Sequence, residues 1–305
     1  MNPFSPVMFI VSLVLCPLLI GVINRVKSFV GGRRGPPLLQ MYYDLAKLAS
    51  KEYKYPGKAS WVFRAGPVVV LAGVLAAASV TPFGSERSLL QFHGDFLVWA
   101  GAFTLARVFM ILAAIDSAGA FAGMGSSREA WFGALAEPAL LLSLAALAVA
   151  TGETTLASML AYFGPAHSGS HVVTLIFAAL ALFLVALTEN ARIPVDDPNT
   201  HLELTMIHEA MLLDHGGPDL ALVEYASTLK LWVMGALIVG ITPPARFADP
   251  WLDAACFLGG MLVYAALIGC VESAMARLRL RKVTQLLAGA GVLAALSLMM
   301  AARHL

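Results

Sequence analysis

Long apolar stretches recur along this chain, and they constrain its fold more than anything else in the sequence. A helix needs roughly 20 such residues to cross a bilayer. Reading hydropathy along the sequence places them at 4–23, 62–81, 95–120, 131–151, 172–190, 222–241, 252–272 and 283–302. Lipid cannot satisfy a bare backbone N–H or C=O, so spans of this kind fold as helices. The predicted fold class is all-α, a polytopic membrane protein with eight transmembrane helices and no soluble domain. Residues 1–305 form a single integral membrane domain. Composition agrees, since 59% of residues are hydrophobic and only 13% charged. A soluble domain is about a quarter charged, and half that charge cannot cover a water-facing surface of this size. The net charge of +1 gives no electrostatic footprint for nucleic acid.

The few charges carry the orientation. Cytoplasmic loops are enriched in Lys and Arg. With the N-terminus outside, fourteen basic residues fall in inner loops and three in outer ones. In a bacterial inner membrane both termini then face the periplasm. Loop 24–60 holds eight of those basic residues. Within it, Leu38, Leu39, Tyr42, Leu45, Ala46 and Ala49 form an apolar stripe at helical spacing. The pattern predicts a basic amphipathic helix in the inner interface, either a plain anchor or the floor of a cavity and a docking surface.

Ionisable groups inside spans are costly and tend to be functional. Asp95 and Asp253 sit at outer span edges and read as wet helix starts. Asp116, Glu137, Glu189, Glu224 and Glu272 all fall toward the cytoplasmic ends of their helices. For Glu224 and Glu272 a headgroup-level acid is an equally good reading. Glu137 reads as two turns into its helix and is followed by Pro138, which frees a backbone carbonyl. Carboxylates gathered in low dielectric bind protons more readily, so a chain of them with trapped water can pass protons. Arg107 and Lys230 are candidate counter-charges.

The linker at 190–220 is cytoplasmic by orientation yet acidic. It bears Asp196, Asp197, Glu203, Glu209, Asp214 and Asp219 against Arg192. Thr200 and Glu203 have capping-box spacing, whereas Glu209 has no such structural role. His201, His208 and His215 recur every seven residues, but the second histidine of a zinc-protease pattern is missing. Cys16, Cys256 and Cys270 lie far apart in apolar runs, with no CxxC pair. The expectation is that this chain binds no metal and no iron–sulfur cluster.

Several of these residues together resemble a known family. Arg33-Arg-Gly-Pro-Pro, with Leu39-Gln, Asp44, Lys47-Leu and Lys51-Glu, resembles the first cytoplasmic loop of the respiratory complex I subunit 1 family. Thr188-Glu-Asn-Ala-Arg-Ile-Pro-Val-Asp-Asp-Pro is similar to its Ala-Glu-Thr-Asn-Arg-Ala-Pro-Phe-Asp-Leu-Pro motif. Glu203, Glu209 and Glu224-Tyr225 resemble three acids downstream, and Glu137 matches the acid of its fourth span. Arg277-Leu-Arg-Leu-Arg-Lys resembles its basic segment before the last helix. The departures, Asp196-Asp-Pro and His201-Leu-Glu-Leu-Thr-Met-Ile-His-Glu, are similar to the branch in energy-converting nickel–iron hydrogenases such as the formate hydrogenlyase and hydrogenase-4 complexes.

The resemblance implies a membrane-anchor and energy-coupling subunit, not catalytic by itself, that starts a proton path. Implied partners are hydrogenase large and small subunits, a ferredoxin-like iron–sulfur subunit and antiporter-like membrane subunits. The nickel–iron centre and iron–sulfur clusters would lie in those partners. Proton transfer would fall to Glu137, Glu189, Glu203, Glu209, Glu224, Asp116 and Asp196, tuned by Arg192, Arg107 and Lys230. Arg33, Arg34, Asp44, Arg277, Arg279 and Arg281 would dock the peripheral arm. The alternatives are the quinone-site subunit of an NADH:quinone oxidoreductase, or an independent secondary transporter, for which two broken helices in related halves would be needed.

Overall fold

A computed structural model describes residues 4–57, 59–84, 87–163, 168–196, 206–242 and 250–303. Among the described residues the structure is helical and has no strand. The helices are α1 (Phe4–Val30), α2 (Gln40–Ala49), α3 (Trp61–Val80), α4 (Asp95–Asp116), α5 (Ala120–Thr151) and α6 (Leu156–Tyr162). They continue with α7 (Ser168–Glu189), α8 (His208–Leu212), α9 (Pro218–Ile241), α10 (Pro250–Ala274) and α11 (Leu280–Ala302). Eight of them are long and apolar enough to cross a membrane, at the places hydropathy reads them. α2 is the amphipathic helix of the first loop.

One boundary differs in a way that matters for function. Residues 121–130 read as a loop, because Gly123, Gly125, Ser126 and Ser127 are poor helix formers. They are helical, and α5 runs 32 residues. Tertiary packing overrides propensity there. A Cβ on Gly125 would lie 2.8 Å from the Ala210 Cβ and from the Ile207 carbonyl, so the glycine lets α8 close against α5. Glu137 therefore lies seventeen residues beyond Ala120, about 25 Å along the axis at 1.5 Å per residue, deeper than two turns.

α9 is central, with its buried face packed on α1, α3, α7 and α10. α1 and α9 are tied by a polar contact that Pro17 creates. Proline has no N–H, so the Leu13 carbonyl four residues earlier loses its helical donor. Tyr225 Oη on α9 donates to that carbonyl at 2.9 Å, and Cys16 Sγ reaches it at 3.2 Å. Tyr42 on α2 donates to the next carbonyl, Val14, which docks α2 across α1. Asp95, read as a wet helix start, is fully buried. Its Oδ1 accepts from the Leu156 N–H at 2.7 Å and so caps α6.

Candidate functional site

A cavity of about 410 Å³ opens between α1, α2, α8 and α9. Met41, Leu45 and Leu48 of α2 form one wall, with Asp44 beside them. Thus α2 is part of a cavity wall rather than an anchor alone. The remaining walls include Ile20 and Asn24 of α1, Val70 and Val74 of α3, and His208 and Glu209 of α8. Five carboxylates reach the lining, Asp44, Glu129, Glu189, Glu209 and Glu224, with three cations, Arg107, Arg192 and Lys230.

The deep end is a charged network across four helices. Arg107 on α4 is buried. Its Nη1 donates to Glu137 Oε1 of α5 at 2.7 Å, and its Nη2 donates to Glu189 Oε1 of α7. Lys230 of α9 donates to the other Glu189 oxygen at 2.6 Å and lies 5.7 Å above the Phe103 ring. Thr104, one turn before Arg107, donates to Glu137 Oε1 at 3.0 Å. Arg107 Nε faces Glu129 Oε1 at 3.8 Å. Buried charges survive when each is paired and hydrogen-bonded. This network meets that condition by sharing a guanidinium fork among carboxylates from two helices.

A second buried pair lies at α10. The Glu272 side chain is fully buried, with Lys27 of α1 at 2.7 Å and Arg192 at 3.6 Å. Glu272 is therefore a paired core acid rather than one at headgroup level. Arg192 both lines the cavity and faces this pair.

Of the residues singled out from sequence, Glu137, Glu189, Arg107 and Lys230 meet directly. Glu209, Glu224, Asp44 and Arg192 share the cavity with them. Asp116 and Asp196 are placed elsewhere. Asp116 accepts from the Ser60 and Phe63 N–H groups at 2.7 and 3.3 Å, at the start of α3. Asp196 accepts from the Ile207 and His208 N–H groups at 3.1 and 3.2 Å and pairs with Arg277 at 2.7 Å. It clamps the entry to α8 and the α10–α11 connection together. Glu203, His201 and the Thr200 capping box lie outside the described residues. Arg33, Arg34, Arg279 and Arg281 are exposed. Among the described residues no three His, Cys, Asp or Glu side chains converge to hold a metal ion.

Glu129 was missed. Its signal was its spacing, eight residues before Glu137 and so on nearly the same helix face. That signal is visible only once α5 is known to extend to Ala120. Outside the spans, burial pulls His208 and His215 down to about 4, and both rings are neutral at pH 7. Lys230 adds to the effect at His208. His215 stacks on Phe63 with ring centroids 4.0 Å apart.

Residues 4–303 match the family model described as NADH dehydrogenase. The chain belongs to the NADH dehydrogenase subunit 1 family. It is 30% identical over 280 residues to formate hydrogenlyase subunit 4 of Escherichia coli K12, covering 87% of each chain. It is 31% identical over 260 residues to hydrogenase-4 component C of the same strain, covering 85% of this chain and 81% of that one. An NADH-quinone oxidoreductase membrane component of Rubrobacter xylanophilus is 27% identical over 238 residues, covering 74% and 71%. A solved archaeal respiratory membrane complex, the membrane-bound sulfane sulfur reductase, contains a chain with the same fold. Its TM-score is 0.83 at 17% identity, over 98% of both chains. Membership in this family, with eight candidate spans, makes the chain a multi-pass membrane protein.

Proposed function

We propose that this chain is the membrane-anchor and energy-coupling subunit of a hydrogenase complex of the formate hydrogenlyase or hydrogenase-4 type. It docks a peripheral nickel–iron and iron–sulfur arm and starts a carboxylate proton path. The observation that carries this reading is the join between the cavity and the buried network. Asp44, Glu209 and Glu224 line the same cavity as Glu189 and Arg107, and Arg107 reaches Glu137. Acids of this kind, bridged by cations that stay charged, can pass protons through water and side chains.

In this reading Asp44, Glu209 and Glu224 form the entry. Glu189, with Lys230 and Arg107, sets the charge of the middle, and Glu137 is the inner member. Glu203 joins the entry as its neighbour in sequence. Asp196 and Asp116 shape the path by holding α8 and α3. The exposed Arg33, Arg34, Arg279 and Arg281, with Asp44, meet the arm. Arg277 fixes the segment that carries two of them. The redox centres belong to the partner subunits, antiporter-like subunits flank the chain in the bilayer, and both termini face the periplasm.

The test uses the assembled complex in sealed vesicles. Glu137→Gln and Glu189→Gln should assemble normally, yet proton movement per turnover should fall at least tenfold, about 1.4 kcal/mol or more in the barrier. Unchanged coupling in both variants would remove the network from the path. A second reading, a quinone-site subunit, is favoured by one observation. The cavity falls within the volume range of small-molecule sites and has an apolar wall from Ile20, Leu45 and Val74. Quinone co-purifying at one per complex, without nickel, would select it.

A further inference from the structure

Glu129 and Glu137 lie eight positions apart on α5, with Gly133 midway between them. At 3.6 residues per turn these three positions share nearly one face. Arg107 of α4 lies across that face in the space that Gly133 leaves open. A Cβ on Gly133 would sit 2.3 Å from Arg107 Nη1 and 3.0 Å from Cζ. Two guanidinium nitrogens are engaged, Nη1 by Glu137 and Nη2 by Glu189. The third, Nε, is buried and donates no hydrogen bond, and it points at Glu129 Oε1 from 3.8 Å. Unsatisfied buried donors are rare and call for a reason. Here a carboxylate stands just beyond bonding reach. Glu129 lines the cavity, whereas Glu137 lies outside its walls.

We propose that Arg107 is a charge shuttle with a second seat on Glu129, and that Gly133 is the positioning residue that keeps its track open. The proposal rests on the proton-path reading above. In the seat the structure shows, the guanidinium pairs with an ionised Glu137 and Glu129 holds a proton. In the other seat, Glu129 is ionised and accepts from Nε, and Glu137 holds a proton. Passing from the first seat to the second, Glu129 gives one proton to cavity water and Glu137 takes one up. The guanidinium keeps its charge throughout, only O–H bonds form and break, and the total charge of the cluster is unchanged. Glu189 holds Nη2 in both seats and acts as the pivot. Lys230 of α9 holds the other Glu189 oxygen, Thr104 of α4 donates to Glu137, and the neutral His208 of α8 faces the same cavity. The shuttle makes the two acids exclusive partners of one cation, so a proton cannot leak past without moving it.

The assembled complex tests this by high-resolution structure determination and by proton movement per turnover in vesicles. In Glu137→Gln the guanidinium should move, shortening Nε to Glu129 from 3.8 Å to about 2.9 Å. An Arg107 that stays in place in that variant overturns the proposal. In Glu129→Gln the guanidinium should stay on Glu137, and proton movement per turnover should fall at least tenfold while turnover itself persists. In Gly133→Ala both acids should lose Arg107. If that variant does not assemble, Glu129→Gln decides. A loss of coupling in Glu137→Gln with none in Glu129→Gln overturns the shuttle alone. No loss in either overturns the proton-path reading.

Discussion

Asp196 offers a prediction with a magnitude that can be worked from contacts. Its side chain is 1% exposed and pairs with Arg277, which is 17% exposed. It also accepts from the N–H groups of Ile207 and His208, where α8 begins. Removing a helix-capping acceptor costs about 1 kcal/mol. A mostly buried charge-assisted hydrogen bond contributes about 2 kcal/mol. Asp196→Ala should therefore lower the free energy of opening α8 by about 3 kcal/mol, roughly a hundredfold faster exchange. Arg277→Met leaves both backbone bonds in place and should cost about 2 kcal/mol. The double variant should match Asp196→Ala, because the pair is already lost in either case. The assay is amide hydrogen exchange of the purified chain in mild detergent, followed at Ala210, Met211 and Leu212. Ala290 and Ala294 of α11 serve as the internal reference. Exchange at α8 within threefold of wild type in Asp196→Ala would refute the clamp. Additive losses in the double variant would show that Asp196 and Arg277 act independently.

Two further outcomes follow from the packing. Burial holds His215 near 4 against an ordinary value of about 6.5. The folded chain thus binds that proton more weakly than the unfolded one. Stability from His215 is complete above pH 6.5 and is lost as the pH falls from there toward 4, to a ceiling of about 3 kcal/mol. His208 adds a loss of the same sign in the same window. His215→Phe keeps the stack on Phe63 and should remove the His215 share of the acid sensitivity, measured as thermal unfolding at pH 7.5 and 4.5. The Leu13 carbonyl gives a cycle of its own. Tyr225→Phe should cost about 1 kcal/mol alone and less than half that in Pro17→Ala, where residue 17 regains the N–H that satisfies the carbonyl. Equal costs in both backgrounds, by unfolding in mixed micelles, would deny Pro17 its part.

Hydropathy made the spans legible because lipid permits so few solutions, and the stripe from Leu38 to Ala49 foretold α2. The site was legible in type but not in pairing. Arg107, Glu137, Glu189 and Lys230 stood out as charges inside apolar runs. Which carboxylate each cation meets depends on how α4, α5, α7 and α9 are rotated against one another, and one sequence does not carry that. Asp116 shows the limit from the other side. Its position at a span end suits a proton carrier as well as a cap, and only the approach of Ser60 and Phe63 from a distant loop decides between them.

Glu129 was hidden for a different reason. Local propensity and tertiary packing disagree over 121–130. The small residues that make this stretch look like a loop are the ones that let α8 approach α5, and Gly133 in turn admits the Arg107 guanidinium. Small side chains inside α5 thus make room for a second helix near its cytoplasmic end and for a buried cation two turns deeper. Filling either space with one methyl group would displace a charged member of the cavity. The helix least recognisable from its own residues is therefore the one on which the proposed path most depends.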